Sequence, residues 1–137
     1  MTSSNTYLFF NGNCEEALNF YAKVLGAKIG FMMKAKDAPK SMECDVDMGD
    51  GVMHATFMIG ETKVLVSDVP PSYYTKPQGF NINVNVAEAA DAERAYAALS
   101  EGGTQTMPLQ ETFWAKRFGT CVDRFGIPWM INCEKPM

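Results

Sequence analysis

The chain has 137 residues, 47% of them apolar and 20% charged, with 12 basic against 16 acidic side chains and a formal net charge of −4. That length fits one domain or two small halves, and the apolar share excludes disorder and collagen-like repetition. The acidic balance excludes a non-specific binder of phosphate backbones, so nucleic acid is not an expected partner.

No apolar stretch approaches the roughly 18 residues needed to span a bilayer, so no membrane partner is expected. Met1-Thr2-Ser3-Ser4-Asn5 lacks the basic and apolar regions of a secretory signal. Cys14, Cys44, Cys121 and Cys133 are scattered without a Cys-x-x-Cys, which reads as reduced thiols in a cytoplasmic protein.

Tyr7-Leu8-Phe9-Phe10 is an aromatic run of buried-strand type. Asn13 followed by Glu16 predicts a helix N-cap of capping-box type. Cys14, Ala17, Leu18, Tyr21, Val24 and Leu25 then recur at helical spacing, and Gly26 supplies the stop. Segments 27–33, 42–48, 52–59 and 63–67 then supply a set of three strands after the helix; in the second of these Glu43, Asp45 and Asp47 alternate with Cys44, Val46 and Met48, as in a strand. Pro70, Pro71 and Pro77 mark a linker, because proline fixes φ and donates no ladder hydrogen bond.

The second half repeats this order. Phe80, Ile82, Val84 and Val86 alternate with Asn81, Asn83 and Asn85, which predicts a strand with an apolar helix-facing side and an amide side. Ala92, Ala95, Tyr96 and Leu99 form a helical stripe closed by Gly102-Gly103. Strands follow over 104–109, 115–122 and 128–133. Ala17-x-x-x-Tyr21-Ala22 also matches Ala92-x-x-x-Tyr96-Ala97 without a gap. Strand–helix–strand–strand–strand twice over predicts an α+β fold of two βαβββ modules forming a curved mixed sheet with a concave cup. The single domain divides into module one over about 1–69, a linker over about 70–78 and module two over about 79–137.

Phe20-Tyr21-Ala22-Lys23-Val24-Leu25-Gly26, placed after the start of the first helix in that order, resembles the vicinal-oxygen-chelate superfamily of glyoxalase and bleomycin-resistance proteins. Phe10-Asn11-Gly12-Asn13-Cys14-Glu15-Glu16-Ala17, Met53-His54-Ala55, Ser67-Asp68 and Asp123-Arg124-Phe125-Gly126-Ile127-Pro128-Trp129 resemble its PhnB-like branch. Members of that branch often carry the label of a demethylubiquinone methyltransferase. Here no glycine-rich turn follows a parallel strand to hold a nucleotide-like cofactor.

The resemblance implies a divalent metal held by His, Gln and Glu near the cup floor. The matching positions fall at Thr6, at Val64 or Val66, at Asn81 and at Met130. Hydroxyl, aliphatic, amide and thioether groups do not make a transition-metal site, so no metal ligand and no cofactor is expected at those positions.

His54 is the sole histidine and, by its titration range, a candidate base. Asp68 at a strand end is the candidate that orients it. Asn81 and Asn83, facing away from the helix, suit recognition of a carbonyl or hydroxyl. Trp114, with Phe113, Phe118 and Trp129 nearby in sequence, suits an apolar ligand wall. Lys116 and Arg117 suit an anionic substrate. Cys121 and Cys133, on adjacent strands around a turn near Ile127, leave a regulatory disulfide open. The expected partner is a small molecule, bound by a homodimer. The protein is then a lyase, isomerase or dioxygenase relative with a lost or remodelled metal site; the alternative is a non-catalytic ligand-sequestering protein of bleomycin-resistance type.

Overall fold

The computed structural model describes residues 2–38 and 49–136. The chain divides into two compact units, Met1–Thr75 and Lys76–Met137. The predicted strand over 42–48, with Cys44, lies outside the described residues.

In the first unit, β1 (Tyr7–Phe10), α1 (Cys14–Leu25), β2 (Lys28–Lys34), β3 (Val52–Ile59) and β4 (Thr62–Asp68) follow one another. They build a four-stranded mixed sheet of order β1-β4-β3-β2, in which β1 runs parallel to β4. Alternation decides the two faces. Leu8, Phe10, Ala55, Phe57, Val64 and Val66 are buried together with Cys14, Ala17, Leu18 and Tyr21 of α1, and the Tyr21 ring stacks on Phe57 at 5.6 Å. Tyr7 and Phe9, one residue out of step, stay 41% and 50% exposed. Gly26 closes α1 in the left-handed region at φ 67, as its position predicts.

The start of α1 differs from expectation. Asn13 holds the N-cap position but makes no side-chain capping bond, and its Oδ1 is buried without a partner. The Cys14 amide donates instead to Asp68 Oδ1 at 3.0 Å. The cause is register: the parallel pairing sets Phe10 beside Asp68, which delivers a carboxylate to the turn entering the helix.

In the second unit, β5 (Ile82–Asn85), α2 (Ala89–Ser100), β6 (Thr104–Gln110), β7 (Ala115–Val122) and β8 (Pro128–Glu134) repeat the order. The sheet order is β5-β8-β7-β6, with β5 parallel to β8. Val84, Cys121, Trp129, Ile131 and Cys133 are buried together with Ala92, Ala95, Tyr96 and Leu99 of α2. Asp123 organises the β7–β8 turn, accepting the Phe125 and Ile127 amides at 2.8 and 3.0 Å and Trp129 Nε1 at 2.8 Å. Two four-stranded mixed sheets and two helices make the expected α+β pair of βαβββ modules.

Two further expectations change. Phe80 and Asn81 precede β5 rather than belonging to it, and Phe80 is 44% exposed. Cys121 stands opposite Trp129, whereas Cys133 stands opposite Arg117. Four residues of strand separate the two thiols by roughly 13 Å along β8. Disulfide geometry needs Cα atoms within about 7 Å, so the two do not pair. Both are free and buried.

Candidate functional site

On the first sheet, the face away from α1 carries the residues out of step with the core. His54 of β3 lies there, with Tyr7 Oη 3.1 Å from its Nδ1. The Tyr7 ring is 5.8 Å and the Phe31 ring 6.3 Å from the imidazole. Phe9 meets Tyr7 edge-on at 5.3 Å. Phe31 is 57% exposed. Its place depends on Gly30, where an added Cβ would come within 2.7 Å of Thr56 Oγ1; that hydroxyl accepts the Phe31 amide at 3.2 Å. The arrangement is a half-buried imidazole rimmed by aromatic rings. With Nδ1 engaged by Tyr7, Nε2 is the ring atom left to address a ligand.

Asp68 does not join this group. It is 7% exposed, and its two oxygens accept the amides of Cys14, at 3.0 Å, and Val52, at 2.9 Å. Strand alternation sets it with Val64 and Val66, on the side of the sheet that α1 covers. The expected base-and-orienter pair of His54 and Asp68 is therefore replaced by His54 with Tyr7. Asp68 instead borders a cavity of about 540 Å³ at the start of α1, with Asn13, Glu15, Glu16 and Asp50. Glu15 is paired with Lys34 at 3.2 Å and Asp50 with Lys36 at 2.9 Å. The hydrogen bond from Lys36 holds the Asp50 carboxyl below its usual range.

On the second sheet, the face away from α2 is amide-rich. Asn83 Nδ2 donates to Asn85 Oδ1 at 2.9 Å, and Asn132 Nδ2 donates to the same oxygen at 3.3 Å. Asn132 Nδ2 also lies 3.4 Å from Glu134 Oε1. Phe118 stands opposite Asn132 in the ladder. Trp114, 43% exposed, meets the Phe118 ring edge-on at 5.1 Å. Phe113, 90% exposed, meets Trp114 in the same way at 4.8 Å. Asn83 and Trp114 thus lie where a ligand could reach them, whereas Asn81 is exposed ahead of the strand. Trp129 is fully buried and no part of that wall. Arg117 is paired with Glu93 at 3.0 Å, which removes it as a ready anion partner.

The metal positions implied by the resemblance do not fit a metal. Thr6 is exposed before β1, Val64 and Val66 are buried, Asn81 is exposed and Met130 is half-buried. None of these side chains offers imidazole, carboxylate or thiolate. Among the described residues, no group of three or more His, Cys, Asp or Glu side chains is placed to hold a metal ion. No helix among them is long and apolar enough to cross a membrane.

Reading the sequence for chemistry passes over Tyr7, Phe9 and Phe31 as partners of His54, and over Asn132 and Glu134 as partners of Asn83 and Asn85. For Tyr7 and Phe9 the signal was present: whichever face Leu8 and Phe10 take, these two take the other.

A family model described as 3-demethylubiquinone-9 3-methyltransferase matches residues 2–132. Protein YjdN of Escherichia coli is 34% identical over 94% of this chain and 93% of its own. Among solved structures, protein PA1353 from Pseudomonas aeruginosa is 42% identical, with a TM-score of 0.89 over 99% of this chain and 100% of that one. A putative 3-demethylubiquinone-9 3-methyltransferase, PhnB protein, from Bacillus cereus gives 24% identity and a TM-score of 0.78 over 96% and 99% of the two chains. A glyoxylase/bleomycin resistance protein/dioxygenase domain from Frankia sp. gives 13% and 0.68 over 98% of each. The last two share the fold.

Proposed function

Since the chain belongs to the 3-demethylubiquinone-9 3-methyltransferase family of PhnB-like proteins, we propose, from that premise and from the glyoxalase fold, that it binds a small, partly aromatic molecule on the open face of its first sheet. The observation that carries this reading is the 3.1 Å contact between Tyr7 Oη and His54 Nδ1 inside a rim of exposed rings. Exposed aromatic side chains around one fixed polar group are the usual make-up of a small-molecule site: the rings supply apolar contact, and the polar group sets orientation. Tyr7 holds the imidazole in one orientation, so that Nε2 meets the polar end of the ligand.

Binding proceeds without a metal in this reading, because the donor set at Thr6, Val64, Asn81 and Met130 suits none. Methyl transfer is not carried over from the family description. The β1–α1 turn holds a single glycine, Gly12, and the stretch between β5 and α2 holds none. The test is a nuclear magnetic resonance titration of the full chain with a panel of aromatic fragments. The expected result is saturable shifts at Tyr7, Phe31 and His54, lost in His54→Ala and Phe31→Ala variants that remain folded. A panel that leaves these three residues unmoved overturns the reading.

A further inference from the structure

The second sheet holds an orphaned acceptor. Asn132 is 9% exposed, and its Oδ1 is buried with no hydrogen-bond partner. Asn side chains can be flipped end for end, so the direction of the amide matters. Here Glu134 settles it. An ionised carboxylate only accepts, so Asn132 must present its NH₂ to Glu134 Oε1 at 3.4 Å. Its second N–H then reaches Asn85 Oδ1 at 3.3 Å, and Asn83 Nδ2 donates to that same oxygen at 2.9 Å. Both amide hydrogens of Asn132 are spent within the ladder. What remains at Asn132 and Glu134 themselves is accepting capacity: the whole of Asn132 Oδ1 and most of the Glu134 carboxylate, which takes part in none of the ion pairs among the described residues.

A buried acceptor left unmatched is costly, so the arrangement is incomplete until a donor arrives. The surroundings select the donor. Phe118 lies across the ladder from Asn132, and Trp114 packs edge-on against Phe118. Aromatic rings beside a carboxylate and an amide oxygen are the chemistry that receives an organic cation. We propose that Asn132, Glu134, Phe118 and Trp114 form a subsite for a primary ammonium group, its N–H donated to Asn132 Oδ1 and its charge met by Glu134. The subsite lies in the second unit and goes beyond the small-molecule reading above, which concerns the first.

The experiment titrates the full chain, labelled with ¹⁵N, with benzylammonium, benzyl alcohol and benzoate, following the side-chain amides of Asn83, Asn85 and Asn132. Benzylammonium is expected to shift these resonances saturably, benzyl alcohol at least about tenfold more weakly, and benzoate not at all. Glu134→Gln should remove the preference for benzylammonium over benzyl alcohol. Asn132→Leu, which replaces the orphan by an apolar group of similar size, should abolish binding of both while holding or raising thermal stability. Equal binding of benzoate, or unchanged benzylammonium binding in Asn132→Leu, overturns the subsite. So does a response confined to Tyr7, Phe31 and His54, which would leave the first-sheet reading standing.

Discussion

Asp68, the last residue of β4, accepts the backbone amide of Cys14, the first residue of α1, at 3.0 Å across 54 positions of sequence. Its other oxygen takes the Val52 amide at the start of β3, at 2.9 Å. One buried carboxylate therefore ties the helix start to two strands. It also sits at the positive end of the α1 dipole, which favours a negative charge there.

The first prediction follows from that tie. Each hydrogen bond to a charged group contributes about 1.5–3 kcal/mol, and a lost partner strands a buried amide. Asp68→Ala should lower unfolding free energy by about 3 kcal/mol, and Asp68→Asn by roughly half as much, because it keeps one acceptor. Urea denaturation measures both. Ligand binding at folded concentrations should change little. A loss of stability below about 0.5 kcal/mol in Asp68→Ala, the range of ordinary surface substitutions, would return Asp68 to the list of reacting groups.

The second prediction separates the two partners at His54. Tyr7→Phe keeps the ring and removes only the hydroxyl that holds Nδ1. It should weaken ligand binding by about fivefold, the worth of one neutral hydrogen bond. It should also shift the ring ¹⁵N resonances of His54 toward a mixture of tautomers. His54→Ala should weaken binding by at least about tenfold in a chain of unchanged circular dichroism. Additive effects in the double variant would show that Tyr7 and His54 act separately, contrary to the contact between them.

The elements were largely legible because each rests on local pattern. The run Tyr7-Leu8-Phe9-Phe10 identifies β1, but as a buried strand; that Tyr7 and Phe9 form an exposed side emerges only in the fold. The stripe from Cys14 to Leu25 and the stop at Gly26 identify α1. The site was less legible because it depends on register between distant strands. Tyr7 and His54 are 47 positions apart, and nothing within Ser67-Asp68 tells that β4 runs parallel to β1 with Asp68 beside Phe10. Asn83 and Asn85 stand out as an amide run in sequence. Asn132 and Glu134 do not, since β8 reads first as the core strand of Trp129, Ile131 and Cys133.

The third prediction concerns metal. Thr6, Val64, Val66, Asn81 and Met130 supply one hydroxyl and one amide of ordinary affinity where the fold's relatives are expected to hold a divalent ion. Protein purified without a histidine tag should contain well under one equivalent of zinc, nickel, iron or manganese. Dialysis against a chelator should leave ligand binding and thermal stability unchanged. Close to one equivalent of metal per chain, lost together with binding, would overturn this.

The fourth prediction concerns association. Among the described residues, β1, β2, β5 and β6 stand at the ends of the strand orders within their own sheets, and Phe113 is 90% exposed. End strands and an exposed ring are commonly covered by a twofold dimer. Sedimentation at micromolar concentration should give twice the 15.2 kDa chain mass. Phe113→Glu should reduce it toward one chain. A single-chain mass for the unsubstituted protein would reject the dimer.

The last prediction uses the buried thiols. Burial first, and the charge of Asp123 second, push the Cys121 thiol from 9.0 up to about 11. Burial first, then Asp68 and then Glu15, push Cys14 upward as well. In both cases the folded chain keeps a proton that the unfolded chain has released, so unfolding becomes easier as pH rises. The stability tied to Cys121 is fully present below pH 9.0 and is lost as pH climbs toward about 11. The urea midpoint should be flat between pH 7 and 8.5 on this account and fall above that. Cys121→Ala should make the fall shallower without abolishing it, since Cys14 contributes in the same direction. At pH 8 the thiolate is the reactive form and is scarce at these sites. Iodoacetamide followed by peptide mapping should therefore leave Cys14 and Cys121 unmodified in native protein and alkylate both in urea. Rapid native alkylation of Cys121 at pH 8, or a urea midpoint that rises between pH 9 and 11, would contradict the buried, proton-holding thiol.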